Sequence, residues 1–165
     1  MSELRMRRRH RLRQKEIESF SQTIDETLGT SSFTTEQTVD MAEAPDFDVL
    51  FVDGALLAMV VDGEPFLTIR GILEYGASRR FVTVDMGAVK FVANGADIMG
   101  PGIVEAEGTV AEGNLVWVRD ERNHRPLAIG RAIVPADELR RKPKGKVVLS
   151  LHHVGDKLWS VEEDA

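Results

Sequence analysis

The run from Thr83 to Val104, TVDMGAVKFVANGADIMGPGIV, constrains this chain more than any other stretch. It sets Gly87, Gly95, Gly100 and Gly102, with Gly108 just beyond, around one short amphipathic run. Before it, Phe81 to Val84 (FVTV) is extended and β-branched, with Val82 and Val84 on one face of a pleat. Asp85 is placed to cap a helix, since its carboxylate accepts the first free N–H groups and complements the dipole. Val89, Phe91 and Val92 read as an apolar face over about two turns, with Lys90 off it. Asn94-Gly95 is a stop signal, because either residue takes the left-handed conformation that closes a helix. Gly100-Pro101-Gly102 is a turn that lets a backbone or ligand come close, and Ile103-Val104 opens a new strand. The local expectation is strand, short helix, Gly-lined bend, strand. Two readings of it stand. In one, exposed amides and Lys90 meet a phosphate or a nucleic-acid end. In the other, the glycines only permit tight turns.

The 165 residues allow one large or two small domains, and a 42% apolar share is enough for a packed core. Cysteine is absent, which excludes disulfides, iron–sulfur clusters and thiolate zinc sites. No window approaches the roughly 18 apolar residues of a membrane span. The basic N-terminus is not followed by the apolar segment of a secretory signal. A cytoplasmic protein without membrane contact is therefore expected. The net charge of −6 counts slightly against a general nucleic-acid binder, but residues 1–15 carry seven Arg or Lys against one Glu. This basic N-terminal arm is either a phosphate-contacting segment, helical when bound, or a solvated helix. The acidity of the remaining body is read as solubility.

Glu16 to Leu28 carries Ile17, Phe20, Ile24 and Leu28 on one helical face and ends at Gly29. Thr38 to Ala42 is a candidate strand. Phe47 to Val52, Ala55 to Val61 and Glu64 to Leu67 are short apolar runs separated by Asp53-Gly54 and Asp62-Gly63, a strong hairpin signal. Thr68 to Tyr75 reads as a helix closing this unit, and Ala77 to Arg80 as a linker. Beyond the central stretch, Glu105 to Asn114 reads as a loop. Strands are expected over Leu115 to Arg119, Leu127 to Val134, Lys146 to Val154 and Lys157 to Val161, with a helix over Pro135 to Arg141. Gly130 marks a bulge or close packing. This spacing fits a closed pseudo-barrel, and it equally fits an OB-fold or an SH3-like barrel.

Catalytic and metal constellations are not found. His152 and His153 are adjacent on a strand, so they point to opposite faces and cannot chelate together. Asp46 and Asp48 lack a paired base or nucleophile. Ser31, Ser32 and Ser150 have no nucleophile-elbow setting, and neither Walker nor dinucleotide patterns occur. The chain is read as a non-enzyme without cofactor or metal.

The run VDMGAVKFVANGADIMGPGI resembles the opening segment of a PUA domain, the RNA-binding module named after pseudouridine synthases and archaeosine transglycosylases. More closely, it resembles that segment in the malignant T-cell amplified sequence (MCTS) family, archaeal members included. Gly155 to Trp159 (GDKLW) is similar to that family's C-terminal strand. The resemblance runs from Arg80 to Glu162, continues less closely over Phe47 to Tyr75 and fades before Asp46. It implies an α+β N-terminal domain over residues 16–76, after the arm of residues 1–15. A mainly-β PUA pseudo-barrel with two short helices then follows over residues 80–162.

The same resemblance implies RNA binding in translation. The RNA would be tRNA, by its acceptor end, or rRNA, met on the small ribosomal subunit in initiation, reinitiation or recycling. Eukaryotic relatives work with a partner carrying a SUI-type domain. The site expected is a cleft. One wall is the helix start, with Gly87 and Lys90, and the bend, with Asn94, Gly95, Ala96, Ile98, Met99, Gly100 and Gly102. The other wall is Lys157 and Trp159, where Trp159 stacks a base or is a core residue. Arg79 and Arg80 extend the phosphate track or are linker surface. Two other functions remain open: an accessory subunit delivering RNA to a modifying enzyme, and a protein–protein adaptor without RNA contact.

Overall fold

The computed structural model describes residues 4–161; residues 1–3 of the basic arm and Glu162 lie outside the described residues. The chain divides into two compact units. One runs to Ser78 and takes in the C-terminal end from Ser160; the other is Arg79–Trp159.

The first unit is a five-stranded antiparallel sheet with two helices, its strands in sequence order. Over Arg7–Arg11 the basic segment is neither a helix nor a free arm. Arg7–Arg11 forms β1, an edge strand paired with β2 (Val39–Glu43). Carboxylates on the neighbouring strand hold it: Arg9 and Arg11 both bond Asp40, and Arg8 lies 3.4 Å from Glu43. Arg9 also lies over the Phe51 ring, 4.0 Å from its centroid. Helix α1 (Gln14–Leu28) buries Ile17, Ser21, Ile24 and Leu28, and Gly29 closes it in the left-handed conformation. Ser21 takes the place expected for Phe20, which is half-buried, because position i+4 lies closer to the axis-parallel row.

Strands β3 (Asp48–Val52), β4 (Ala55–Val61) and β5 (Glu64–Leu67) form the meander. At both Asp-Gly pairs the two residues have positive φ, as a two-residue I′ hairpin turn requires. β3 and β4 are buried along almost their whole length, so they read as continuous apolar runs rather than alternating ones. Helix α2 (Ile69–Tyr75) starts at Thr68, whose hydroxyl accepts from the Gly71 N–H, and packs on β4.

The second unit holds β6 (Phe81–Val84), α3 (Met86–Ala93), β7 (Ile98–Met99), a 3₁₀ turn (Gly100–Gly102) and β8 (Ile103–Ala106). After them come β9 (Leu115–Asp120), β10 (Pro126–Ala132), α4 (Ala136–Arg140) and β11 (Lys146–His153). The sheet order is β7-β11-β10-β9-β6-β8, antiparallel except for the β6–β9 pair. Its two outermost strands, β7 and β8, are consecutive in the chain and joined only by the three-residue Gly100–Gly102 turn. The sheet therefore rolls until its edges meet there, and the Gly-Pro-Gly bend is the seam of the barrel. Val82, Val84, Ile98, Ile103, Val116 and Val118 fill the interior. The register shifts at Gly130, where an added Cβ would stand 2.6 Å from the Leu149 carbonyl.

Two local expectations change. β8 extends through Ala106, shortening the loop expected from Glu105. Residues 157–160, expected as a strand, are turns. The Asp156 carboxylate accepts the N–H groups of His153 and Trp159, pulling the chain around instead of leaving those groups for a ladder.

Candidate nucleic-acid interface

The site is built outward from the seam. Asp85 caps α3, its carboxylate accepting the Ala88 N–H at 2.9 Å, while its own N–H donates to the Gly102 carbonyl at 2.9 Å. Start and end of the stretch are thereby tied together. The helix buries Val92 fully, with Ala88 and Val89 partly in the core. Phe91 does not share that face: it is 63% exposed. Residues two apart on a helix stand about 200° apart, so Val89 and Phe91 cannot both point inward. Phe91 instead continues a row with Ala88 and Gly95, three and four positions away, and this row forms one wall of a groove.

The helix stops through Gly95 rather than Asn94, for Gly95 has φ +94° and Asn94 stays near the helical region. The Asn94 side-chain amide donates back to the Lys90 carbonyl. A Cβ at Gly95 would lie 2.9 Å from the His153 ring, so the bend presses directly on β11. Asp97 then fixes the floor: it accepts the Ser150 N–H at 2.8 Å and pairs with the Lys146 ammonium at 3.0 Å. The Ser150 amide, helped by Lys146 and opposed by partial burial, holds the Asp97 carboxyl below its ordinary value. Ile98 is buried opposite Val148, and Met99, opposite Lys146, is 47% exposed.

Gly100 is buried beneath residues 143–145. Its N–H donates to the Gly145 carbonyl at 2.9 Å, and a Cβ there would fall 1.6 Å from the Pro143 carbonyl oxygen. Only glycine fits this approach.

The result is a groove of about 610 Å³. Phe91, Ala96 and Met99 supply its apolar rim, Gly102 opens its floor beside Ala88, and Lys146 stands at its edge. An aromatic ring, a flexible thioether and a cation around an open groove suit a flat, partly charged ligand.

Of the residues expected at the site, Gly95, Ala96, Ile98, Met99 and Gly102 meet in this groove. Gly100 lies beneath it, holding the bend down. Gly87 and Lys90 on α3, and Asn94 just after it, are exposed but do not line it. Lys157 and Trp159 belong to the turn after β11 and are not among its lining residues; the opposite wall is Lys146 with Asp97. Arg79 contributes its carbonyl, which accepts the Trp117 indole N–H at 2.8 Å. Arg80 is bound into the unit: its N–H donates to Glu107 and its guanidinium to the Leu115 carbonyl.

Phe91, Lys146 and Asp97 line the groove although sequence reasoning did not name them as site members. The row Ala88, Phe91, Gly95 was the available signal for the first. On β11, His152 is buried and lies 2.9 Å from an Asp156 oxygen. Burial pushes the Asp156 carboxyl up, but hydrogen bonds from His152, Trp159 and His153 outweigh it and the net direction is down.

Comparison with known proteins places this geometry in a family. The PUA domain model matches residues 80–154. An uncharacterized protein of Methanocaldococcus jannaschii is 36% identical over 146 residues, covering 88% of this chain and 87% of its own length. Translation machinery-associated protein 20 of Saccharomyces cerevisiae is 31% identical, covering 66% of this chain and 64% of its own. Malignant T-cell-amplified sequence 2 of Mus musculus is 31% identical, covering 70% of this chain and 66% of its own. The aligned segment thus spans most of the archaeal relative and about two thirds of the eukaryotic ones. Among solved structures, a hypothetical protein of Pyrococcus horikoshii OT3 superposes with a TM-score of 0.81 at 28% identity, covering 92% of this chain and 98% of its own. The chain belongs to the PUA-domain proteins of the malignant T-cell-amplified sequence (MCTS) family.

Proposed function

We propose that this chain is an RNA-binding protein of translation that holds the unpaired acceptor end of a tRNA on the small ribosomal subunit, in the cytoplasm. The setting is supported by the name of a relative, translation machinery-associated protein 20. The observation that carries the chemistry is Phe91, a ring 63% exposed at the rim of a groove within the PUA match. Proteins read RNA mainly where bases are unstacked, and an exposed aromatic ring replaces the lost stacking neighbour, worth about 1–3 kcal/mol per base. Met99 and Ala96 enclose the base from the side, and the backbone of the Gly95 to Gly102 bend supplies polar groups for its edge. The first unit is the family's N-terminal domain in this reading, and a SUI-type factor is the partner to test on the ribosome.

Binding of deacylated tRNA with and without its terminal CCA, to wild type and to Phe91→Ala, tests this. Wild type is expected to lose affinity about tenfold when CCA is removed. Phe91→Ala should bind both tRNAs at the weaker level. Equal wild-type affinity for the two tRNAs would overturn acceptor-end recognition. No RNA binding at all would turn the exposed ring into an adaptor surface for protein.

A further inference from the structure

The seam of the barrel carries a second feature that the function above does not use. The segment Arg140 to Lys146, RRKPKGK, holds five basic residues in seven within a chain of net charge −6. Two of the five are engaged. The Arg140 guanidinium donates to the Ala106 carbonyl at 2.7 Å, and Lys146 pairs with Asp97. The other three, Arg141, Lys142 and Lys144, are exposed, and among the described residues their side chains make no hydrogen bond or ion pair. They are not on a loose tether. Pro143 and Gly145 lie over Gly100, the Gly100 N–H bonds Gly145, and Lys142 is held at φ +54°. Lys146, the last residue of the segment, is also the cation at the edge of the groove.

We infer that Arg141, Lys142 and Lys144 form a preorganised phosphate track that continues the RNA path away from the groove. The assignment rests on the RNA-binding reading above and names where the backbone of that RNA runs. Three exposed cations on an anchored segment of a mainly acidic molecule are available to a polyanion, and phosphates at nucleotide spacing supply one. The bend binds the base end, and the strip next to it, packed on the same glycine, binds the strand that leads to it. Phosphate contacts position and do not specify, so this strip contributes affinity and register while the groove contributes discrimination.

The test is a potassium chloride series of tRNA binding with wild type, Phe91→Ala and the triple variant Arg141→Gln, Lys142→Asn, Lys144→Gln. Asn at position 142 tolerates the left-handed backbone. The triple variant is expected to lose about two units of the log–log salt slope, at roughly 0.7 per contact with single strands. Phe91→Ala is expected to lose affinity at an unchanged slope. If the triple variant misfolds by circular dichroism, Lys144→Gln alone leaves the backbone untouched and should remove about 0.7 of slope. Wild-type binding with the slope unchanged in these variants would overturn the track and leave the groove standing. A slope lost in the triple variant, with CCA removal having no effect, would keep the track and overturn acceptor-end recognition. Failure of wild type to bind would overturn both.

Discussion

Two basic segments of this chain invite the same reading and have opposite fates. Arg7–Arg11 is the densest run of positive charge near the N-terminus, and Arg140 to Lys146 is its counterpart in the second unit. In the first, Arg8, Arg9 and Arg11 each face a carboxylate of the strand beside them. The charge there serves an edge strand, where it also discourages pairing with other chains. In the second, three of five cations have no partner among the described residues, and the backbone beneath them is anchored through Gly100. Charge density in a sequence is therefore a poor guide to available charge. What decides is whether the strand alongside carries acids, and that is known only once strands are paired.

This contrast can be broken most forcefully at Gly100. Gly100→Ala drives a methyl group into the Pro143 carbonyl, with no flexible side chain to move aside. The expected cost is about 3 kcal/mol in a urea titration, at the upper end for overpacking. A cost below about 1 kcal/mol would mean that the strip is not seated as described. Acid is a broader lever, reaching both segments at once. Asp40, Asp97, Glu107, Asp120 and Asp156 are all held below ordinary carboxyl values. In Asp97 the Ser150 amide leads; in the others burial pushes upward and is outweighed by hydrogen bonds and neighbouring cations.

A folded-state value below the unfolded one stabilises above the unfolded pKa and is lost as pH falls through the folded value. The urea midpoint should change little on this account between pH 7 and 5, then fall steadily below about pH 4. A midpoint rising below pH 4 would contradict these pairings. The smallest effect sharpens the comparison most. Asp40→Asn removes the acid paired with Arg11; Arg9, its other partner, keeps its place over the Phe51 ring. The substitution should cost at most about 1 kcal/mol of stability, since exposed pairs contribute little. It should also add up to about one unit to the salt slope of RNA binding. An unchanged slope would show that β1 stays away from RNA for reasons other than charge pairing.

Much of the local structure was legible. Asp-Gly pairs mark both tight hairpins, Asp85 caps α3, and Gly29 ends α1, because these residues act through their own backbone and nearest neighbours. Phe91 was legible too and was misread: counting apolar residues placed it inward, whereas the helical angle places it outward. The strand expected at Lys157 failed because alternation in KLWSV says nothing of Asp156, whose carboxylate collects the N–H groups that a strand would have used. What no local rule reaches is the seam. The basic strip lies against the bend only because β11 pairs with β7, bringing Lys146 opposite Met99 from far along the chain. Register between distant strands follows from the closure of the whole barrel, and the groove inherits its second wall from it.

That pairing also sets an order in time. β7 is two residues long and, within its sheet, bonds only to β11, the last strand among the described residues. β6 can pair early with β8 but meets its parallel neighbour β9 only later, and such non-local pairings are the slow part of folding. As the chain lengthens, α3 can coil early and hold both ends of the bend, yet β7 and Gly100 within it stay unpaired until β11 and the segment before it are in place. The groove and the strip beside it are thus completed together and last. On the function proposed above, a copy truncated before β11 carries the helix and the glycines but lacks Lys146, and with it one wall of the groove, so it should hold RNA more weakly.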